Sequence, residues 1–238
     1  MKIIKPTIFP KNIKSGVVTK NIDFFPKHGF SLSKTTFIDD DYITNCRIHL
    51  AKELNIEASQ IIRQHQIHSD NVKVIEDSDD YSDSDAMITN HKSFCLNISI
   101  ADCIAVLIYD TKNYVIAGIH SGWRGTEKNI VRKCIDIMQD KFKSKIEDLL
   151  VYISPSAECE NYEVGKEFIN IFPEHTKLIG DKYYFDNKSA VLNQIKECGL
   201  NTNQIEISEL DTITNLELHS FRRDKEKAGR MSAYIMMA

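Results

Sequence analysis

Residues 100–125 read IADCIAVLIYDTKNYVIAGIHSGWRG. Two apolar runs, 103–109 and 114–119, flank Asp110-Thr-Lys-Asn113, whose residue types favour a turn. The pattern predicts a β-hairpin. With the turn centred between Thr111 and Lys112, Cys103 lies directly opposite His120, their Cβ atoms roughly 4.5–5.5 Å apart. A thiolate and an imidazole that close can share a metal ion or form a nucleophile–base pair. A slip of one residue would send them to opposite faces.

Just beyond His120, Ser121-Gly-Trp-Arg-Gly125 leads into a helical pattern. Thr126 reads as its N-cap, with Glu127 in the first turn and Ile130, Val131, Cys134, Ile135, Met138 and Phe142 on one face. Free N–H groups and the Arg124 guanidinium there would suit an anion such as phosphate. The plainer reading is a strand–loop–helix corner with Trp123 as packing and Arg124 in a surface ion pair.

Outward from this stretch, the pattern interleaves strands and helices. Residues 14–20 and 29–33 read as short strands. A helix starts at Asp39-Asp-Asp41 and runs to Asn55, with Ile43, Cys46, Leu50 and Leu54 inward. Residues 72–76 and 86–89 read as strands, and 93–100 alternates like a half-buried one. Glu76 to Asp85, EDSDDYSDSD, is acidic and lacks the glycine and terminal glutamate of a calcium loop, so it reads as a solvated, mobile loop. Further on, 149–153, 183–185 and 204–207 read as strands. Residues 161–172 and 187–198 read as helices, the second capped by Asp186 and ended by Gly199. Residues 218–223 and 231–237 read as a last strand pair. Tight strand pairs beside interleaved helices predict one mixed α/β domain over 1–238, its β-sheets covered by helices in layers.

Composition excludes several classes. A formal net charge of −4 over 238 residues leaves no nucleic-acid footprint. No apolar run reaches membrane-spanning length, and MKIIKP is too short and charged for a secretory core. The expectation is a cytoplasmic protein. None of the six cysteines forms a CxxC pair. Cys46, Cys95, Cys134 and Cys198 read as small hydrophobes in a reduced compartment.

His68, Cys103 and His120 each fall at a predicted strand end. Two histidines and a cysteine match a catalytic zinc with an open fourth position; the alternative is a buried thiol and two satisfied histidines. His65 would face away from His68 on extended chain. His28, His49, His91, His175 and His219 lack such company. Arg222, Arg223 and Arg230 near a strand end read either as a phosphate or carboxylate holder or as a charged surface turn.

Several of these stretches form a set: Gln66-Ile-His68, Asp85-Ala-Met-Ile-Thr89, Ala101-Asp-Cys103, His120-Ser-Gly-Trp-Arg-Gly-Thr126, Asn161-Tyr-Glu-Val-Gly165, and Ser220-Phe-Arg-Arg-Asp224 with Gly229-Arg-Met231. In this order they resemble the bacterial family once called multicopper polyphenol oxidases or laccase-domain proteins, now regarded as purine nucleoside phosphorylases with adenosine deaminase activity. The resemblance implies a layered α/β fold and a zinc site at His68, Cys103 and His120. It implies phosphate attack on C1′ of a purine nucleoside such as adenosine, inosine or methylthioadenosine, giving base and sugar 1-phosphate, and water attack on C6 of adenosine in deamination. Arg124 and the helix start would hold phosphate, and Asp102 and Asp85 would serve substrate binding, orientation or proton transfer. The chain departs from the family at Thr19-Lys-Asn-Ile22, Ala105, SPSAEC (154–159) and Asp211-Thr212.

The older family name suggests copper polyphenol oxidation. Eight histidines without an HxH pair argue against clustered copper, although a His2Cys site can take up copper in vitro. A metal-free cysteine hydrolase using Cys103 and His120, and a non-catalytic accessory factor in peptidoglycan precursor editing, complete the alternatives.

Overall fold

The computed structural model describes residues 1–77 and 83–238. The centre of the acidic stretch read as a mobile loop, residues 78–82, lies outside the described residues. The hairpin forms from β7 (Ile104–Asp110) and β8 (Val115–Ser121). Its register corrects the sequence reading: His120 pairs with Ala105 and Ser121 with Ile104, so Cys103 precedes the strand. The turn explains the difference. The Asp110 carboxylate accepts from the N–H groups of Lys112 and Asn113, at 2.8 and 2.9 Å. Tyr114 adopts a left-handed conformation (φ 55°) and donates its N–H to the Asp110 carbonyl. Tyr114 therefore belongs to a four-residue loop and not to the strand. The resulting slip is even, so Cys103 and His120 keep the same side of the sheet as diagonal neighbours.

Around the hairpin lies a six-stranded sheet in the order β13 (Ile205–Ile207), β9 (Leu149–Ile153), β7, β8, β5 (Ala86–Thr89), β4 (Val72–Val74). The outer pairs β13–β9 and β4–β5 are parallel and the rest antiparallel. A five-stranded sheet runs β1 (Ile3–Ile4), β2 (Ile13–Val18), β14 (Met231–Met237), β6 (Cys95–Ile100), β3 (Ile61–Ile62). The two sheets pack face to face. Leu96, Ile98, Ala233 and Ile235 meet Ala105, Leu107, Tyr109 and Ile116 in one buried cluster.

Helices cover both outer faces. Ile130, Val131, Cys134, Ile135 and Met138 of α3 (Ile130–Phe142) and Val191 and Ile195 of α5 (Asn187–Glu197) pack on the six-stranded sheet. Helix α1 (Asp40–Leu54), capped by the Asp39 side chain, lays Cys46, Leu50 and Leu54 on the five-stranded sheet. The order helix, sheet, sheet, helix is the layered mixed α/β architecture expected. Strand β6, read as half-buried, is buried on both faces, because Cys95 faces α1 while Leu96 and Ile98 face the other sheet. Among the described residues no helix is long and apolar enough to cross a membrane.

Four stretches near the cleft differ from the sequence reading. The helix after β8 is split into α2 (Trp123–Glu127) and α3, because Asn129 is left-handed (φ 58°). Thr126 is thus inside a short helix, not at its cap, and its N–H is already bonded to the Gly122 carbonyl. Residues 161–172 are helical only over α4 (Phe168–Ile171). Glu163 and Val164 instead form β10 and pair with β12 (Lys182–Phe185), which also pairs with β11 (Thr176–Ile179). Residues 218–223 form no strand: Ser220 caps the short helix α6 (Phe221–Asp224) by accepting from the Arg223 N–H. Residues 29–33 are irregular.

Candidate metal centre and its cleft

His68, Cys103 and His120 converge from three places: the segment before β4, the turn between β6 and β7, and the end of β8. Their donor atoms all lie within 4.8 Å of one another. Cys103 Sγ is 3.9 Å from His68 Nε2, and the two imidazole rings stand 4.8 Å apart at 82°. His65 lies outside the group and bonds Asp83 at 2.8 Å.

Asp85 builds the arrangement. It is fully buried behind His120, one carboxylate oxygen bonding His120 Nδ1 at 2.8 Å and accepting from the His68 N–H at 3.1 Å. Its other oxygen accepts from the Ser69 N–H and hydroxyl at 2.6 and 2.7 Å. These bonds hold His68 in a left-handed conformation (φ 57°) and leave His120 Nε2 as the free ring nitrogen. The structure corrects the placement of Asp85 at the substrate: it lies beneath the site and supports it. Gln66, unassigned in the sequence reading, holds the same segment to β6. Its amide donates to the Ser99 carbonyl and accepts from the Ser99 N–H, both at 2.8 Å, in the manner of an extra strand.

Asp102 borders the cleft but is committed elsewhere. Its carboxylate accepts from the Thr212 hydroxyl (2.7 Å) and the Arg222 N–H (2.6 Å), while its backbone is left-handed at φ 84°. Asp102 therefore buckles the Cys103 turn to the 211–222 segment. No local pattern around Thr212 signals that contact, since the two residues are far apart in sequence.

The electrostatics set this trio apart. Burial alone would push the Cys103 thiol up, but His120 and His68 bring it below its ordinary value; burial alone would lower His120, but Cys103 and Asp85 raise it. Burial opposes ionisation of Asp85 as well, yet bonds from His120 and Ser69 hold its carboxyl down at about 2. By contrast, burial pushes Cys46 up to about 11 and Cys95 to about 12, as befits inert core thiols.

The donor set, two imidazole nitrogens and a thiolate-favouring sulfur, suits a divalent cation of the zinc or copper type. The space is kept by Gly122: a Cβ there would meet His68 Cδ2 at 2.9 Å and Cys103 Sγ at 3.0 Å. The residues present fit such an ion. One side of the trio opens on a cleft of about 700 Å³ whose wall includes Trp123, Arg124, Tyr162, Phe221, Arg222 and Arg230.

The chain is 34% identical to a purine nucleoside phosphorylase of Clostridium acetobutylicum, over 72% of this chain and 74% of that one. It is 28% identical to a purine nucleoside phosphorylase of Staphylococcus aureus, over 98% and 95% of the two chains. Its fold superposes with a TM-score of 0.88 on the crystal structure of the Bacillus licheniformis hypothetical protein YfiH, at 23% identity over 95% of this chain and 93% of that one. The sequence model of the family described as multi-copper polyphenol oxidoreductase laccase matches residues 16–238, and the protein belongs to that family.

Proposed function

We propose that the protein is a zinc-dependent purine nucleoside phosphorylase with adenosine deaminase activity, acting in the cytoplasm as one domain. The observation that carries this reading is the His68–Cys103–His120 group, backed by Asp85 and open to a large cleft. The names of the relatives support the nucleoside and phosphate substrates.

A zinc ion held by the three residues would supply Lewis-acid polarisation of a substrate oxygen or of water. The chain's own groups do the rest. Asp85 fixes the His120 ring and the backbone of His68, so the site is organised before a ligand arrives. Trp123, Tyr162 and Phe221 offer ring faces to a purine. Arg124, exposed and stacked 4.2 Å from the Trp123 ring, can donate to phosphate oxygens where the nucleoside meets its co-substrate. The helix start at Thr126 contributes no anion site, because α2 is a single short turn.

Copper polyphenol oxidation has less support, although the family description carries it. Among the described residues this trio is the one group of three or more suitable side chains, whereas reduction of oxygen uses further clustered copper.

The test is product analysis of metal-characterised protein given adenosine with and without phosphate. Adenine and ribose 1-phosphate that appear only with phosphate and vanish in Cys103→Ala are the expected result. Inosine without phosphate identifies the deaminase reaction. Neither product, with zinc bound, overturns the reading. Arg124→Ala is expected to raise the phosphate KM at least about tenfold; an unchanged value removes that role.

A further inference from the structure

Helix α2 brings Trp123 and Arg124 to the cleft on only five residues. A helix that short does not hold itself in water, and Gly122 before it offers no side-chain cap. Its support comes from outside the cleft wall, where Ser121, Thr126 and Asn187 are all buried and bond to one another. The Ser121 carbonyl can only accept. The Asn187 amide therefore turns its nitrogen to that carbonyl, at 3.0 Å, and its oxygen to the Thr126 hydroxyl, at 2.7 Å. Thr126 has one hydroxyl proton, and Asn187 takes it in preference to the Gly122 carbonyl at 3.2 Å. Thr126 in turn accepts from the Ser121 hydroxyl at 2.9 Å. The bonds close a ring in which each strengthens the next. Further along α5, Gln194 donates to the Thr126 carbonyl at 2.6 Å.

The same junction sets the aromatic wall. Phe185, fully buried just before the Asp186 cap of α5, stands 5.9 Å from the Tyr162 ring and 5.2 Å from Phe168. Phe168 in turn stands 5.2 Å from Trp123. The metal ligands have separate supports. Asp85 holds His120 and His68, and strand pairing with Ile104 holds Ser121. Loss of the Asn187 amide thus frees α2 and leaves the trio in place.

We propose that Asn187 is a positioning residue for phosphate: through Thr126 and Ser121 it fixes α2 so that the Arg124 guanidinium is presented at the cleft, and it does so without acting on the metal ligands. This rests on the reading of Arg124 as the phosphate holder. An Arg124 on a loosened α2 would keep its charge but lose its direction, so affinity for the anion falls while the metal stays bound.

Trp123 is the single tryptophan of the chain, so its fluorescence reads α2 with no ligand present. The experiment compares the zinc-loaded protein with Asn187→Ala, Thr126→Val and Thr126→Ser. It measures acrylamide quenching of Trp123, calorimetric titration with inorganic phosphate, and zinc affinity against a chelator. Asn187→Ala and Thr126→Val are expected to raise quenching at least about twofold. They are expected to weaken phosphate binding at least about fivefold and to change zinc affinity by less than about twofold. Thr126→Ser keeps the hydroxyl and is expected to stay close to the unaltered protein in all three. In an Arg124→Ala background, Asn187→Ala is expected to add no further loss of phosphate affinity. Unchanged quenching, unchanged phosphate affinity, zinc loss in step with phosphate loss, or additive losses in the double variant each overturns the proposal. Should Asn187→Ala fail to fold, the two Thr126 variants decide. Phosphorolysis of adenosine by a protein whose phosphate affinity ignores Asn187 overturns this inference and leaves the phosphorylase. An Asn187-dependent phosphate affinity without base or ribose 1-phosphate overturns the phosphorylase and leaves the positioning role. Absence of phosphate binding overturns this inference together with the role of Arg124.

Discussion

A methyl group at Gly122 would press on Cys103 Sγ at 3.0 Å and His68 Cδ2 at 2.9 Å. The backbone there, at φ −75°, accepts alanine without strain, so the effect is one of volume. Gly122→Ala is expected to fold normally and to lose at least about tenfold in zinc affinity, measured against a competing chelator. Asp85→Asn acts from behind. It presents an amide where His120, His68 and Ser69 donate, and is expected to weaken zinc binding by about 10–100-fold in the same assay. His219 responds to pH for a different reason. Burial holds it down at about 4, with Lys20 and Arg230 adding repulsion against the help of the Phe30 carbonyl, and among the described residues its buried Nδ1 has no acceptor for the N–H a second proton would make. The unfolded chain takes up that proton near pH 6.5, so the unfolded state binds more protons between pH 4 and 6.5 and stability rises with pH there. Acidification from pH 7 to 5 is expected to cost about 2 kcal/mol from this residue alone. Urea unfolding at the two pH values should show a smaller loss in His219→Gln. At this scale the sequence nominated the three residues that converge, since thiol and imidazole chemistry is visible in residue type. Gln66, Thr212 and the supporting place of Asp85 were not legible, because each acts through a bond to a residue distant in the chain.

Among the elements, the hairpin turn governs where the site's residues fall. Asp110 is fully buried, and besides the Lys112 and Asn113 N–H groups its carboxylate accepts from Asn113 Nδ2 at 3.0 Å. Asp110→Ala removes those acceptors and is expected to destabilise by about 2–4 kcal/mol, read as a lower urea midpoint. Strands with long apolar runs, such as β7 and β9, were legible because both faces are buried. The helix expected over 161–172 failed for a tertiary reason: Tyr183 and Tyr184 offer Glu163 and Val164 a strand partner, and local spacing does not record that partner. The hairpin register failed by two positions because Tyr114, apolar enough to extend the strand, sits in the turn instead.

For the whole molecule, the trio adds one shared centre to parts already tied by the Gln66 and Asp85 hydrogen bonds. The His68 segment hangs from β6 through Gln66, Cys103 ends the link between the two sheets, and His120 closes β8. A bound cation adds its binding free energy to the folded state alone, so removing zinc with a chelator is expected to lower the melting temperature, by about 4 kcal/mol of stability at a thousandfold excess over Kd. Calorimetry with and without chelator reads the shift, which Cys103→Ala should abolish. The layered fold was legible as a class from the alternation of strands and helices. The assignment of strands to two facing sheets was not, because both sheets are made from apolar runs of similar length and composition.

The place of β14 carries a consequence in time. It lies between β2 and β6, with Ser232 paired to both Val18 and Ser99. Until residues 231–237 arrive, β2 and β6 each present a bare line of N–H and C=O groups, and contact across most of the chain has to form before the sheet closes. Refolding is therefore expected to be slow and sensitive to concentration, with self-association through those edges as the competing route. Arg230 immediately precedes that strand, so its place on the cleft wall is expected to form late in folding.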